Sequence, residues 1–202
     1  MRNYLYQGSP IIAPLTITSN EPMFDADTIS LKKLRASQGA QRFEMSFQTL
    51  PQNEAVGRAF VESMYNFHVP DSMVMPQIAQ VHDRYSMIGY VNLSNSAEVG
   101  DSSIRLLNNS SQQGLLPQGY FIKFANHDKV YVLVDDADMN GTANRTVNIY
   151  PPLQQNVPGN TNVRVEDDCK FVFLRDVDST KGIVFQDGIL SNSGTISLVE
   201  AV

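Results

Sequence analysis

The segment Asp136-Ala-Asp-Met-Asn-Gly141 is the part of this sequence that looks most like a binding loop. It matches the first six positions of an EF-hand calcium loop, in which alternating oxygen ligands precede a glycine. Such a loop also needs a bidentate carboxylate at its twelfth position and a helix on each side. Val147 occupies that position here, and both flanks have the pattern of strands. The segment therefore predicts a β-hairpin turn built on Asn140-Gly141 rather than a calcium site.

The histidines and the cysteine do not have the spacings that metal binding or catalysis requires. His127 lies in a polar turn between two apolar segments, and neither His68 nor His82 has a second ligand at metal spacing. Cys169 is the only cysteine, and no known signature ties a histidine to it. We therefore expect surface or turn histidines, and a structural cysteine in or beside a strand.

Two pairs of adjacent carboxylates, Asp135-Asp136 and Asp167-Asp168, could suggest acid and base chemistry. On a strand, however, neighbouring side chains point to opposite faces, which is the wrong geometry for a glycosidase pair. The sequence also lacks a glycine-rich phosphate loop, a nucleophile elbow and a histidine-carboxylate signature. It predicts no catalytic residue, no cofactor site and no metal site, so we do not expect an enzyme.

Composition narrows the class of protein further. The chain has 202 residues, of which 42% are hydrophobic and 18% charged, which is ordinary for one or two globular domains. Its net charge is −6, and its 15 lysines and arginines are scattered, so there is no basic stripe to bind nucleic acid. The N-terminus lacks a signal-peptide pattern and no segment is apolar enough to span a membrane. We expect a protein that is made and folded in the cytoplasm, without a membrane partner.

The N-terminal part predicts three strands and one helix. The strands are expected at residues 10–18, 29–34 and 42–47. In the third strand polar and apolar residues alternate, so that Phe43, Met45 and Phe47 lie on one buried face. A capping-box-like start at Thr49 with Pro51 in the first turn predicts a helix over residues 51–67. Its apolar positions Val56, Phe60 and Met64 are expected to pack on the sheet.

The rest of the chain predicts short strands with loops rich in Asn, Gly and Pro. They are expected at residues 84–93, 102–107, 119–125, 129–135, 144–150 and 169–175. This spacing is typical of a small Greek-key barrel of the oligonucleotide/oligosaccharide-binding type (OB-like), or of a compact sandwich. Two further strands, at residues 182–185 and 194–199, are expected to close the N-terminal domain by pairing with its first strands.

Three segments resemble a known family. Gly119 to Leu153 contains, in order, two aromatic residues, Ile-Lys-Phe, a polar turn, Lys-Val-Tyr and Asn-Ile-Tyr-Pro-Pro-Leu. Asn20-Glu-Pro-Met-Phe-Asp25 is followed by a strand, a glycine and the strand at residues 42–47, before the helix. The third segment is Gly188-Ile-Leu-Ser-Asn-Ser-Gly-Thr-Ile-Ser-Leu198. Over residues 20–202 the chain resembles the distal tail proteins of long-tailed (siphovirus) bacteriophages, especially the T-five-type group.

The resemblance implies a structural virion protein with two domains and no catalytic residues. A β-rich ring-forming domain, with a sandwich-like sheet and one α-helix, would comprise residues 1–85 and 176–202. An OB-like barrel, residues 86–175, would be inserted in it. The family's proteins form a homohexameric ring at the tail tip, which joins the tail tube to the tail-tip hub or baseplate. Genomic DNA would pass through the lumen, and an acidic ring suits this passage because like charge suppresses binding to DNA.

A second interpretation gives the barrel a binding role. Tyrosines exposed on its strands could stack on sugar rings, which would make the protein a carbohydrate-binding or host-receptor-recognition module of a phage tail. The tyrosines considered for this role are Tyr120, Tyr131 and Tyr150. A ring and a glycan-binding monomer differ in particle mass, which distinguishes the two interpretations.

Overall fold

The computed structural model describes residues 5, 6, 8–30, 32–50, 61, 65, 68–76, 86–141, 144–176, 184–186, 190–192 and 194–202. These residues are mainly in β-strands, which confirms the predicted fold class at that level. The strands are β1 Leu5–Tyr6, β2 Ser9–Asn20, β3 Met23–Asp27, β4 Lys33–Ser37, β5 Arg42–Thr49, β6 Asp71–Val74, β7 Val91–Leu93, β8 Ser103–Asn108, β9 Leu115–Leu116, β10 Phe121–Phe124, β11 Val130–Leu133, β12 Ala137–Asp138, β13 Asn144–Tyr150, β14 Val163–Arg164, β15 Lys170–Arg175, β16 Val184–Gln186, β17 Leu190–Asn192 and β18 Thr195–Glu200. A single-turn 3-10 helix spans Glu166–Asp168.

The chain divides into two compact units. Unit 1 comprises Met1–Pro70 and Phe173–Glu200, and unit 2 comprises Asp71–Val172 with the last two residues. The helix predicted over residues 51–67, with its face Val56, Phe60 and Met64, falls on positions outside the described residues apart from 61 and 65. That helix and the domain boundaries at residues 85 and 175 stay predictions.

Unit 1 is built on an antiparallel sheet whose strands follow the order β1-β2-β5-β18-β15. The alternation in β5 places Phe43, Met45 and Phe47 on one buried face, as predicted. Leu198 of β18 lies directly opposite Met45 and is buried with it. Tyr6 packs edge-on against Phe47, with 5.3 Å between the ring centroids. Period-two patterning thus defines the core side of this sheet.

Two predictions for unit 1 were wrong in detail. The strand predicted at residues 29–34 overlaps the observed β4 only at Lys33 and Leu34. Thr28 Oγ1 accepts a bond from Lys32 N at 3.0 Å and donates to Lys32 O at 3.1 Å, which closes a turn before β4. β18 joins the sheet beside β5, as expected, but β16 pairs with β17 and not with the first strands.

Unit 2 contains a nearly closed, barrel-like antiparallel sheet with the strand order β14-β10-β11-β13-β8-β7. Its two edge strands meet at a seam, defined here as Asn92, Leu93 and residues 160–162. At the seam Leu93 N donates to Thr161 O at 2.8 Å, and Asn160 N donates to Leu93 O at 2.7 Å. An isolated bridge joins Asn92 to Asn162. Apolar side chains from every barrel strand fill the interior, among them Leu93, Leu106, Phe124, Tyr131, Val147 and Val163.

Three features of the barrel region differ from the prediction. The strand expected at residues 169–175 is β15, which pairs with β18 in the sheet of unit 1 and is not a strand of the barrel. Of residues 84–93, the described part forms a turn followed only by the short strand β7. The hairpin predicted at Asn140-Gly141 is replaced by a longer connection between the paired strands β11 and β13. This connection contains β12, which pairs with β9. By contrast, β13 has the predicted bounds of residues 144–150.

Candidate functional site

The hairpin formed by β3 and β4, here called the arm, is exposed along its whole length. Every residue of both strands is exposed to solvent. The two strands pair only with each other, as a separate two-stranded sheet. An isolated hairpin of this size is at best marginally stable in water, so the arm has the properties of an element that binds another surface.

The sequence explains why the arm leaves the main sheet. β2 and β5 pair as far as Asn20 and Arg42. Pro22 then removes a backbone donor, and Gly39 adopts a φ of +76°, a conformation that favours glycine, so the ladder is interrupted on both strands. Gln38 N donates to Pro22 O at 3.0 Å and closes the base of the arm. The ribbon resumes beyond this break as a separate hairpin.

The register of the arm gives it two chemically different faces. Phe24 lies opposite Ala36, and Ala26 lies opposite Leu34, so these four side chains share an apolar face. The other face is charged, since Asp25 lies opposite Arg35 and accepts a hydrogen bond from its Nε at 2.8 Å.

The exposure of the apolar face is unusual for a hairpin that stands alone. Phe24 is 65% exposed, Leu34 is 51% exposed, and Ile29 at the tip is fully exposed. The exposed ion pair between Asp25 and Arg35 contributes at most about 1 kcal/mol, so it cannot offset this exposure. Both strands are also edge strands with unpaired backbone groups on their outer sides. Covering the apolar face and the strand edges would stabilise the arm.

Comparisons with known proteins add no family to this structure. No protein-family model and no curated protein matches the chain. In the described residues, no helix has both the length and the apolarity needed to cross a membrane. A function must therefore be argued from the chain's own residues.

The calcium-like loop uses its carboxylates to cap backbone amides. Asp136 Oδ1 accepts from Gln118 N at 2.7 Å, and Asp138 Oδ1 accepts from Asn140 N at 3.0 Å. Asp135 lies in a bend, not on a strand, and its Oδ2 accepts from Asn148 N at 2.9 Å. Val147, at the twelfth position, points into the barrel core. Across the part of the chain that the structure describes, no three His, Cys, Asp or Glu side chains cluster as a metal site would require.

His127 lies in a turn, as predicted, but it is buried rather than on the surface. Both ring nitrogens are bonded. Nδ1 lies 3.0 Å from Asn126 Oδ1, and Nε2 lies 2.9 Å from the hydroxyl of Tyr131. Asn126 Nδ2 donates to Asn156 O, so its Oδ1 faces the histidine and accepts the Nδ1 proton. The neutral Nε2 then accepts the proton of Tyr131. The imidazole thus links the turn to β11, and the Tyr131 hydroxyl in turn accepts a bond from Gln154 N at 3.2 Å.

The surroundings of His127 hold it in the neutral form. Burial lowers the pKa of His127 from its usual 6.5, and the ammonium groups of Lys123 and Lys129 lower it further against an opposing effect of Asp128. Protonation of Nε2 would also replace the acceptor of the Tyr131 hydroxyl with a second donor, and the present hydrogen bond would be lost. His127 is therefore a buried cross-link of the barrel.

This pKa shift predicts a pH dependence of stability. The pKa of His127 is lower in the folded chain than in the unfolded chain, where it is about 6.5. As the pH falls, the unfolded chain therefore binds the proton first. The contribution of neutral His127 to folding stability is complete above pH 6.5 and is lost as the pH falls below it. His127→Ala should cost about 2 kcal/mol near pH 8, because two buried hydrogen bonds are lost. Urea unfolding of both proteins should show a smaller difference near pH 5. Exposed His68, replaced by alanine, should change stability by less than about 0.5 kcal/mol at either pH. A difference for His127→Ala that grows on acidification would contradict this.

Two buried lysines in the barrel were not anticipated from the sequence. Lys123 is 2% exposed and Lys129 is 1% exposed. Lys123 Nζ donates to Asp128 Oδ1 at 2.6 Å and approaches Lys170 O at 3.4 Å. The signal that could have revealed Lys123 is a single charged residue in the centre of the apolar strand Phe121–Phe124.

Glu166 is a buried carboxylate that the sequence did not reveal. Its φ is +53°, in the left-handed region that non-glycine residues seldom adopt. One carboxylate oxygen accepts from Met87 N at 2.8 Å and the other from Ser86 Oγ at 2.8 Å. Glu166 thus fixes the segment that leads into β7.

The remaining predicted residues are structural or differ from expectation. Cys169 is buried immediately before β15, and its carbonyl accepts a bond from Met75 N at 2.8 Å. Asp167 and Asp168 lie in the 3-10 helix and not on a strand, so the argument from alternating faces does not apply to them. His68 is exposed, and His82 lies outside the described residues.

The tyrosines proposed as a sugar platform do not form one. Tyr131 is fully buried, Tyr120 is 9% exposed, and Tyr150 is half-buried. Tyr131 points into the barrel and bonds His127. Among the described residues of unit 2, the exposed tyrosine is Tyr90, with 40% of its surface in contact with solvent.

Proposed function

We propose that this chain is a structural protein of the phage tail tip, a distal tail protein that forms a homohexameric ring between the tail tube and the tail-tip hub. The observation that carries the proposal is the arm, an exposed hairpin with an apolar face and two open edges. A second copy of the chain is the partner that covers it. The resemblance of residues 20–202 to the distal tail family supplies the number of copies and the neighbours in the virion.

The proposed ring requires a head-to-tail contact between copies. In it the arm of each copy lies on a different surface of the next copy, and the contact is not returned by that copy's arm. Head-to-tail contacts close into a ring when the rotation per subunit is right. Edge strands such as β3 and β4 can add to a neighbouring sheet through their backbone groups, while Phe24 and Leu34 supply apolar contact.

The other parts of the proposal come from the resemblance and are compatible with the charges of the chain. Unit 1, with the helix expected over residues 51–67, forms the ring, and the barrel of unit 2 is an OB-like domain inserted in its sequence. A net charge of −6 lets genomic DNA pass through the lumen without binding. The carbohydrate-binding alternative is not proposed on Tyr120, Tyr131 and Tyr150, because two of the three are buried.

The mass of the assembled species tests the proposal. Mass photometry of the purified chain, or electron microscopy of tails that contain it, should show a ring of about six times the 22.5 kDa chain mass. The ring should lie coaxial with the tube at its distal end. A chain that stays monomeric in solution and is also absent from the tail tip would refute the ring.

A further inference from the structure

The outer face of the barrel carries a directed row of three carboxamides at the seam. Asn109 Nδ2 donates to Asn92 Oδ1 at 3.3 Å, and Asn92 Nδ2 donates to Asn160 Oδ1 at 2.9 Å. The row leaves an acceptor, Asn109 Oδ1, at one end and a donor, Asn160 Nδ2, at the other. Neither atom has a hydrogen-bond partner within the described part of the chain.

An exposed aromatic ring lies beside this row. Asn109 N donates to Tyr90 O at 2.9 Å, one residue beyond the pair Val91 and Asn108, so Tyr90 and Asn109 are cross-strand neighbours. Val91 and Asn108 are buried in the barrel, whereas Tyr90 and Asn109 are exposed. Leu107, opposite Asn92, is half-buried and adds apolar surface to the same side.

The row is held in place before any ligand arrives. Asn92 uses both its oxygen and its nitrogen in the row, and Asn160 is anchored by its backbone bond to Leu93 O at 2.7 Å. Asn160 also has a φ of +63°, which turns its side chain back over the seam. Closure of the barrel needs the backbone bonds of the seam, but it needs neither the exposed ring of Tyr90 nor the open ends of the row. Fixed polar groups beside an exposed aromatic ring are features of ligand sites.

We infer that Tyr90, Asn92, Asn109 and Asn160 form a binding site for a neutral hexopyranose unit of a glycan. The tyrosine ring can stack on the apolar C–H face of the sugar. The two ends of the row can accept from one sugar hydroxyl and donate to another, since a carboxamide offers both functions. All four side chains are uncharged, and the net charge of −6 disfavours a phosphate-bearing strand as the ligand.

The inference is independent of the proposed ring. The site consists of unit 2 residues alone, whereas the arm belongs to unit 1. A failure of sugar binding would leave the ring untouched, and a monomeric chain could still bind sugar.

A microarray of neutral hexose and N-acetylhexosamine oligosaccharides, probed with the full chain, tests the site. The best binder is then titrated into the ¹⁵N-labelled protein, with a single-stranded oligothymidine as the competing class of ligand. The expected result is a shift of the side-chain amide signals of Asn92, Asn109 and Asn160 by the sugar and not by the oligothymidine. Tyr90→Ala should weaken the sugar affinity by about tenfold or more.

Two further variants test whether binding depends on this site. Asn109→Asp retains the size of the side chain but cannot donate to Asn92, so it should also weaken binding. Val134→Ala changes a residue of unit 2 that is 40% exposed, like Tyr90, and should leave binding unchanged. Absence of binding to every glycan, binding unaffected by Tyr90→Ala and Asn109→Asp, or shifts caused by the oligothymidine alone would each overturn the site.

Discussion

Replacement of Phe24 by aspartate should abolish assembly and leave the fold of the chain intact. Phe24 is 65% exposed, so a charge at this position changes little in the isolated subunit. In the ring the same carboxylate would lie against an apolar surface without a partner, which costs several kcal/mol per contact. A loss of about 3 kcal/mol per contact weakens association more than a hundredfold, enough to convert the ring into monomers.

A matched control tests whether the position of the added charge, and not the change in overall charge, causes disassembly. Gln155→Asp adds the same single charge at an exposed loop position of unit 2, so it should assemble like the parent chain. Mass photometry reports assembly, and thermal unfolding of the monomer reports the fold. Rings that persist in Phe24→Asp would show that the arm does not make the contact. Disassembly of both variants would point to overall charge instead.

Asp128→Ala should destabilise the barrel by about 2 kcal/mol, because it removes the carboxylate that pairs with the buried Lys123. This cost is smaller than is usual for breaking a fully buried ion pair, because the Asp128 side chain is 62% exposed. Its partner Lys123 is 3% exposed in its side chain and would keep only the 3.4 Å contact to Lys170 O. Lys123→Met, by contrast, fills similar volume without a charge and should cost less than about 1 kcal/mol.

The two substitutions form a double-mutant cycle. In the Lys123→Met background, Asp128→Ala should change the stability of the barrel by about zero, because there is no buried ammonium that could lose its partner. The readout is hydrogen exchange of the β10 and β11 amides, which reports on the barrel alone. An equal cost of Asp128→Ala in both backgrounds would mean that the carboxylate acts through the turn and not through Lys123.

The elements that the sequence predicted well are those whose burial follows a local pattern. In β5 the alternation of Phe43, Met45 and Phe47 with polar residues is enough to define the core face, because a sheet with one buried face has period two. The bounds of β13 were also correct, since it is bracketed by Asn140-Gly141 and Pro151-Pro152.

The candidate sites were harder to predict, because their character depends on contacts distant in sequence. The alternation that marks the core in β5 also occurs in the arm, where Phe24 and Leu34 are exposed; no local pattern distinguishes the two cases. His127 has the sequence setting of a surface turn residue, but its ring packs against Phe124 and Tyr131 and bonds the Tyr131 hydroxyl. Asn92 and Asn160 are 68 positions apart and meet only because the barrel closes.

The seam is where the sheet of unit 2 closes on itself. Among the other strand pairs of the barrel, the pairing ranges from five positions between β8 and β13 to two positions between β10 and β14. At the seam the closure consists of the bridge between Asn92 and Asn162 and the two backbone bonds of Leu93, and a second bridge joins Ala97 to Val157. These contacts join two segments that are at least 60 positions apart in the sequence. A molecule that bridges Asn109 to Asn160 would therefore act as a clasp across this closure.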